Sequence, residues 1–266
     1  SSDEILEDDV DVEYSESILE LADKVIGSKN ALSLGWHYRS KHTSLIDFSN
    51  YYFYDNKLTV FASNDVGSKV VHKPVENSQY RGGVNRPEVK AVIDALLEQI
   101  KSDNEKSIII ATMNQQQEAE VNLELEAEFK NNKMLRDFDN KHQGTLNELA
   151  VKKLEDIQGD ERDVVIISTV YGPDADGKIT QMFGDINRAN GHRRLNVLFT
   201  RAKHKVILVT SLRSSNIKES KREGPQILKK YLEYAEKGEI TDLERRTSGS
   251  TENPFEESIR EALTKR

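Results

Sequence analysis

Along this chain, apolar positions recur at three- and four-residue steps in some stretches and crowd into short unbroken runs in others. The clearest helix is predicted over 87–101. There Pro87 stands at the first turn, and Val89, Val92, Ile93, Leu96, Leu97 and Ile100 share one face. Helical spacing also covers 15–26, with Ile18, Leu19, Leu21 and Ile26 apolar and Ser15 or Ser17 placed to cap it. Further helices are expected over 42–54, with an aromatic face, and over 115–129, 193–202 and 225–237. The runs Ser107-Ile108-Ile109-Ile110-Ala111 and Asp163-Val164-Val165-Ile166-Ile167-Ser168-Thr169-Val170 are too apolar for an exposed edge and predict buried parallel strands. Shorter extended segments are expected over 30–34, 58–61 and 149–154, with a last central strand over 205–210. Strand and helix alternate, so the expected fold class is α/β: a three-layer αβα domain with a mostly parallel sheet covered on both faces.

The flanks read differently. Residues 1–14 carry Asp3, Glu4, Glu7, Asp8, Asp9, Asp11 and Glu13 and are expected to be a solvated acidic tail or loop. Near the other end, Thr247-Ser248-Gly249-Ser250-Thr251 marks 241–253 as a linker, and 254–266 holds a short amphipathic helix. The main domain is therefore expected over 15–240. A chain of 266 residues beginning Ser-Ser-Asp is expected to be a processed protein or a piece of a longer one.

Composition narrows the function classes. Hydrophobic residues are 36% and charged residues 32%, polar for a folded domain yet too apolar for general disorder. No apolar run approaches the roughly 18 residues of a membrane span, and no secretory leader is visible. Cysteine is absent, which removes disulfides and zinc–thiolate sites and suits a cytoplasmic setting. The formal net charge of −8 argues mildly against nucleic acid as a partner. A local basic run does not share that bias: Arg188, His192, Arg193, Arg194, Arg201, Lys203, His204 and Lys205.

Three segments carry chemistry. The first is Gly35-Trp36-His37-Tyr38-Arg39-Ser40, continuing to Leu45-Ile46-Asp47-Phe48-Ser49-Asn50. The second is Gln158-Gly159-Asp160-Glu161-Arg162-Asp163, just before a buried strand. The third is Arg193-Arg194-Leu195-Asn196-Val197-Leu198-Phe199-Thr200-Arg201-Ala202-Lys203, just before the last strand. In this order they resemble the second RecA-like domain of superfamily 1 helicases, in the subclass that includes the nonsense-mediated-decay RNA helicase. The resemblance covers roughly 15–240.

The resemblance implies an ATP site, with magnesium, completed by a first RecA-like domain that this chain lacks. Arg39 and Arg201 would be arginine fingers, since guanidinium groups stabilise the charge that builds on a transferring phosphoryl group. Tyr38 would stack on the nucleotide base. Glu161 would reach the ribose, with Gln158 and Gly159 shaping a turn at a strand end, where α/β sheets bind ligands. Thr112, Ser168 and Thr169, near strand ends, would grip phosphates of a single nucleic-acid strand, or serve merely as turn caps.

Gly172-Pro173-Asp174-Ala175-Asp176-Gly177-Lys178 imitates a phosphate-binding loop but has Ile179 where Ser or Thr must meet magnesium. Asp174 and Asp176 would also repel phosphate, so it reads as a polar loop. His37, His42, His72, His142, His192 and His204 show no metal-ligand spacing. Asn253-Pro254-Phe255-Glu256-Glu257-Ser258-Ile259 resembles the opening of an endonuclease-like domain found in a bacterial branch of these helicases, or is a plain surface helix. On that hint DNA is preferred to RNA as the substrate strand. Two other readings stay open. One is a non-enzymatic interaction module with a RecA shell, against which Arg39, Glu161 and Arg201 argue; the other is part of a helicase–nuclease in DNA repair or restriction.

Overall fold

A computed structural model describes Ala22 and residues 35–60 and 65–241. The chain divides into two units, Ser1–Trp36 and His37–Arg266. In the first, Ala22 is helical. The rest of the helix expected over 15–26, the strand expected over 30–34, the acidic segment 1–14 and the terminal segment 242–266 lie outside the described residues.

Five parallel strands form the frame of the second unit: β1 (Val70–Pro74), β2 (Ile108–Thr112), β3 (Ala150–Lys153), β4 (Arg162–Ser168) and β5 (Ala202–Thr210). Their spatial order is β1-β5-β4-β2-β3, and every pairing is parallel. One row of neighbours runs across the whole sheet: Val71, Ile207, Ile166, Ile110 and Val151. Parallel pairing of this kind needs crossover connections, which the helices provide.

Successive side chains on a strand point to opposite faces, and here both faces are apolar. On one side Ile109, Ala111, Val165, Ile167, Val206 and Leu208 belong to a core that includes Phe48, Leu195, Leu198, Phe199, Leu228 and Tyr231. These come from helices α1 (Asp47–Phe53), α5 (Gly191–Phe199) and α6 (Glu223–Lys237). On the other side Ile108, Ile110, Val164, Ile166, Ile207 and Val209 pack with Val92, Leu96, Val121, Leu125, Leu135 and Phe138. Those belong to α2 (Arg86–Ser102), α3 (Gln115–Asn131) and α4 (Lys133–His142). The result is the three-layer αβα architecture expected of a RecA-like domain.

Local chemistry explains the element ends. The Asn85 side chain accepts from the Glu88 amide and caps α2, with Pro87 in the first turn. Each fully buried aliphatic on α2, such as Val92 or Leu96, contributes roughly 1.5–3 kcal/mol. Phe48 meets Phe199 and Tyr231 edge-on, at centroid distances of 5.8 and 5.0 Å, which fastens α1 to α5 and α6.

The helix predicted over 193–202 is shifted, starting at Gly191 and stopping at Phe199. Thr200 turns its hydroxyl back to the Asn196 carbonyl at 2.9 Å, and β5 already begins at Ala202. Two elements of the three layers have no counterpart in the sequence pattern. Strand β1 (Val-Val-His-Lys-Pro) is an edge strand with two polar residues and a proline, so it lacks an apolar signature. Helix α4 is mostly charged and buries only Leu135, Phe138 and His142; Asn132 caps it by accepting from the Leu135 amide.

Candidate nucleotide and strand sites

The turn entering β4 and the residues entering β5 gather the charged groups singled out by the motifs. Gly159 takes φ +91, a left-handed conformation suited to glycine, and the Asp160 amide bonds the Ile157 carbonyl at 3.2 Å. This turn delivers Glu161 to the sheet edge. There Arg39 Nε donates to Glu161 Oε2 at 2.9 Å, and Lys203 Nζ pairs with Oε1 at 2.9 Å. Arg39 also reaches the Thr200 carbonyl at 3.2 Å. Lys203 points this way because the β4–β5 register shifts between Arg162 and Val164, so that two residues of β5 oppose one of β4.

Arg201 is half-buried beside them, donating to the carbonyls of Val197 at 2.8 Å and Asp160 at 3.3 Å. Burial lowers its pKa, and the Arg39 charge lowers it further. Glu161 is held down to about 2 by its bonds to Lys203 and Arg39, so it stays ionised and binds the cations together. Tyr38 is exposed by 77%. Gln158 and Gly159 are also exposed. The strand-end expectation needs one correction. This cluster sits at the amino ends of β4 and β5, whereas the ligand crevice of open α/β sheets lies at the carboxyl ends.

Thr112, Ser168 and Thr169 lie at the opposite edge. Along β4 the two edges are about 20 Å apart at 3.3 Å per residue. All three residues are fully buried. Thr112 donates to the Asn114 carbonyl at 2.8 Å; Ser168 donates to Glu88 at 2.7 Å; Thr169 bonds both Glu88 and Thr210. Their hydroxyls brace the interior and do not face solvent, which corrects the expectation that they touch phosphate directly. Asn114, Gln115, Gln116, Gly83, Lys153 and Arg188 instead line a cavity of about 590 Å³ at this edge, with Tyr171.

The run from Arg188 to Lys205 is not one basic stripe. Arg188 pairs with Asp185 at 2.7 Å, Arg194 approaches the same carboxylate at 3.8 Å, and Lys205 donates to Gln99 on another helix. In the loop at 172–178 the Asp174 carboxylate accepts the amides of Asp176 and Lys178 at 2.9 and 2.8 Å, so those groups are turned inward. Among the described residues, no group of three or more His, Asp or Glu side chains could hold a metal ion. No helix among them is long and apolar enough to cross a membrane.

Two features escaped the motif reading. Lys203 was visible only as one basic residue among many. Glu88 and Gln117 looked like ordinary helix residues, and their burial under the strand ends is a property of packing alone.

Residues 64–213 match a family model described as an AAA domain, more than half of the chain. The chain belongs to that family. The matched span holds Glu161 and Arg201, while Tyr38 and Arg39 precede it. The chain is 32% identical over 212 residues to the uncharacterised ATP-dependent helicase MG140 homolog of Mycoplasma pneumoniae, a match covering 76% of this chain and 18% of that protein. A similar match, 32% over 211 residues with the same coverage, is to the uncharacterised ATP-dependent helicase MG140 of Mycoplasma genitalium. This chain thus spans about a fifth of the length of these curated relatives. Among solved structures, it is similar to the C-terminal domain of a possible DNA helicase from Lactobacillus plantarum WCFS1. That likeness has 16% identity and a TM-score of 0.34, covering 65% of this chain and 86% of that one.

Proposed function

We propose that this AAA domain is the second motor half of an ATP-dependent nucleic-acid helicase. In this reading it lends Arg39, Arg201 and Lys203 to ATP bound mainly by a first RecA-like domain. The observation that carries the reading is the pairing of Arg39 and Lys203 with Glu161 at one sheet edge, with Arg201 close beside them. One carboxylate neutralises only part of their charge, so the set suits an anionic polyphosphate. It offers no acidic pair for magnesium, because Asp160 is committed to Lys152 and Glu161 to Arg39 and Lys203. Those ligands belong to the other half. ATP with magnesium supplies the phosphoryl group transferred to water.

Arg39 and Arg201 stabilise the charge that builds during transfer, and they act only when the two halves close. Tyr38, free on the surface, stacks on the base. Glu161 holds the fingers ready and meets the ribose once the site closes. The second edge carries the single strand, with Asn114, Gln116 and Lys153 as contacts and Thr112, Ser168, Thr169 and the buried Tyr171 as braces behind them. We take DNA as the strand because of the resemblance of 253–259 to the start of an endonuclease-like domain. Closing and opening couple the two edges, which requires ATP to bind the closed state more tightly.

The test is Arg201→Ala in a protein carrying both halves. ATP turnover stimulated by a DNA strand should fall by about 10³-fold or more. An unchanged rate removes the finger role. Equal stimulation by RNA and DNA oligonucleotides would remove the DNA preference while leaving the motor reading intact.

A further inference from the structure

Glu88 is fully buried in the first turn of α2, where hydrogen-bond donors converge on its carboxylate. Its two carboxylate oxygens take donors from two separate loops. Oε2 accepts the Ser168 hydroxyl and the Val170 amide, both at 2.7 Å. Oε1 accepts the Ser211 amide at 2.7 Å, the Thr169 hydroxyl at 3.2 Å and the Asn85 amide group at 3.4 Å. Burial pushes the carboxyl up to about 7, and hydrogen bonds from Ser168, Ser211 and Val170 oppose that rise.

The segment so held is strained. Val170 has φ +69, and the Tyr171 amide bonds the Thr169 carbonyl two residues back at 2.7 Å, the pattern of a γ-turn. A β-branched residue avoids this region, so surrounding contacts must impose it. Beyond the turn stand Tyr171, hydrogen-bonded to Asn114, and then Gly172, where any side chain would collide with Ser78 and Ser211. Gln117 completes the frame by bonding the Asn85 backbone on both sides, at 2.8 and 3.2 Å, and the Ser168 hydroxyl at 3.1 Å.

We propose that Glu88 is a positioning residue: its carboxylate ties the loops leaving β4 and β5 to α2, and so holds the buried Tyr171 against Asn114, which with Gln116 and Lys153 grips the single strand. The proposal rests on the assignment of that edge to the strand. It carries a sharp chemical consequence. Backbone amides can only donate, and those of Val170 and Ser211 each need an acceptor oxygen. A carboxamide has one oxygen and one donor group. Glu88→Gln therefore sets a donor against Val170 or Ser211, although size and shape are kept.

The experiment compares wild type, Glu88→Gln, Ser168→Ala and Lys153→Ala in a protein carrying both halves. It measures amide hydrogen exchange at Val170 and Ser211, and the affinity for a labelled oligo-dT strand by fluorescence anisotropy. In Glu88→Gln, exchange at one of the two amides should rise, and affinity should fall, each by about tenfold, the effect of one buried donor left unsatisfied. Ser168→Ala removes one donor, keeps the charge, and moves both readings less in the same direction. It serves as the test if Glu88→Gln does not fold. Unchanged exchange in the variants overturns the clamp. Raised exchange with wild-type affinity overturns the positioning role. If Lys153→Ala binds oligo-dT as tightly as wild type, the strand assignment itself fails and the proposal falls with it. That outcome differs from failure of Glu88 alone, in which Lys153→Ala weakens binding and Glu88→Gln does not.

Discussion

Replacing Glu161 with Gln removes one negative charge from the Arg39–Glu161–Lys203 cluster while keeping the side chain's shape. Both ion pairs are 2.9 Å long, but the Glu161 side chain is 42% exposed, with Arg39 at 22% and Lys203 at 30%. At such exposure solvent screens most of the Coulomb energy, and pairs of this kind are worth about 0.2–1 kcal/mol each. Two of them give a stability loss of about 1 kcal/mol, or about 2–4 °C in melting temperature for a domain of this size. The effect on turnover should be far larger. Without Glu161, Arg39 keeps only the Thr200 carbonyl and is pushed by Arg201, so the fingers lose their alignment. A misplacement of about 1 Å costs about 10²-fold in rate.

The pH dependence has a definite sign. The folded pKa, about 2, lies below the ordinary 4.5, so the Glu161 contribution is full above about pH 4.5 and is lost as pH falls toward 2. Thermal melts at pH 3, 5 and 7 should show a constant gap between wild type and variant at the two higher values and a smaller one at pH 3. ATP turnover is measured in the protein with both halves. Turnover within threefold of wild type refutes the alignment role. A loss confined to KM would instead favour a ribose contact made equally in ground and transition states.

Other substitutions probe the frame that holds these edges. Cβ atoms built at Gly191 and at Gly224 would both overlap the Ile186 carbonyl, where the amino ends of α5 and α6 converge. Gly224→Ala should therefore cost about 1–3 kcal/mol in a denaturant melt. Because Gly191→Ala presses on the same atom, the double variant should lose less than the two single losses added; full additivity would mean the helices relieve the clash separately. The Tyr231 hydroxyl is buried with no hydrogen-bond partner among the described residues, while its ring stacks on Phe199 at 3.4 Å. Tyr231→Phe should be neutral or stabilising by about 1 kcal/mol, and a clear loss of stability would reveal a partner for the hydroxyl.

The sequence by itself determined the layer order and the chemistry offered at one edge. Long buried runs such as Ile108-Ile109-Ile110 can only be central parallel strands, and Val92, Leu96 and Ile100 can only lie against them, because burial of apolar area dominates both choices. The residues Arg39, Glu161 and Arg201 were picked out by the resemblance of three ordered motifs, and two of them, Glu161 before β4 and Arg201 before β5, reach the sheet edge by covalent connection. What only tertiary structure decided was orientation and burial. Whether Ser168 and Thr169 face solvent or a hidden carboxylate depends on Glu88, which lies 80 residues from Ser168 in sequence. Edge strand β1 and helix α4 likewise take their place from pairing and docking, since each is short and offers few apolar residues. Local pattern encodes which face is buried; it does not encode which distant group a buried hydroxyl will meet.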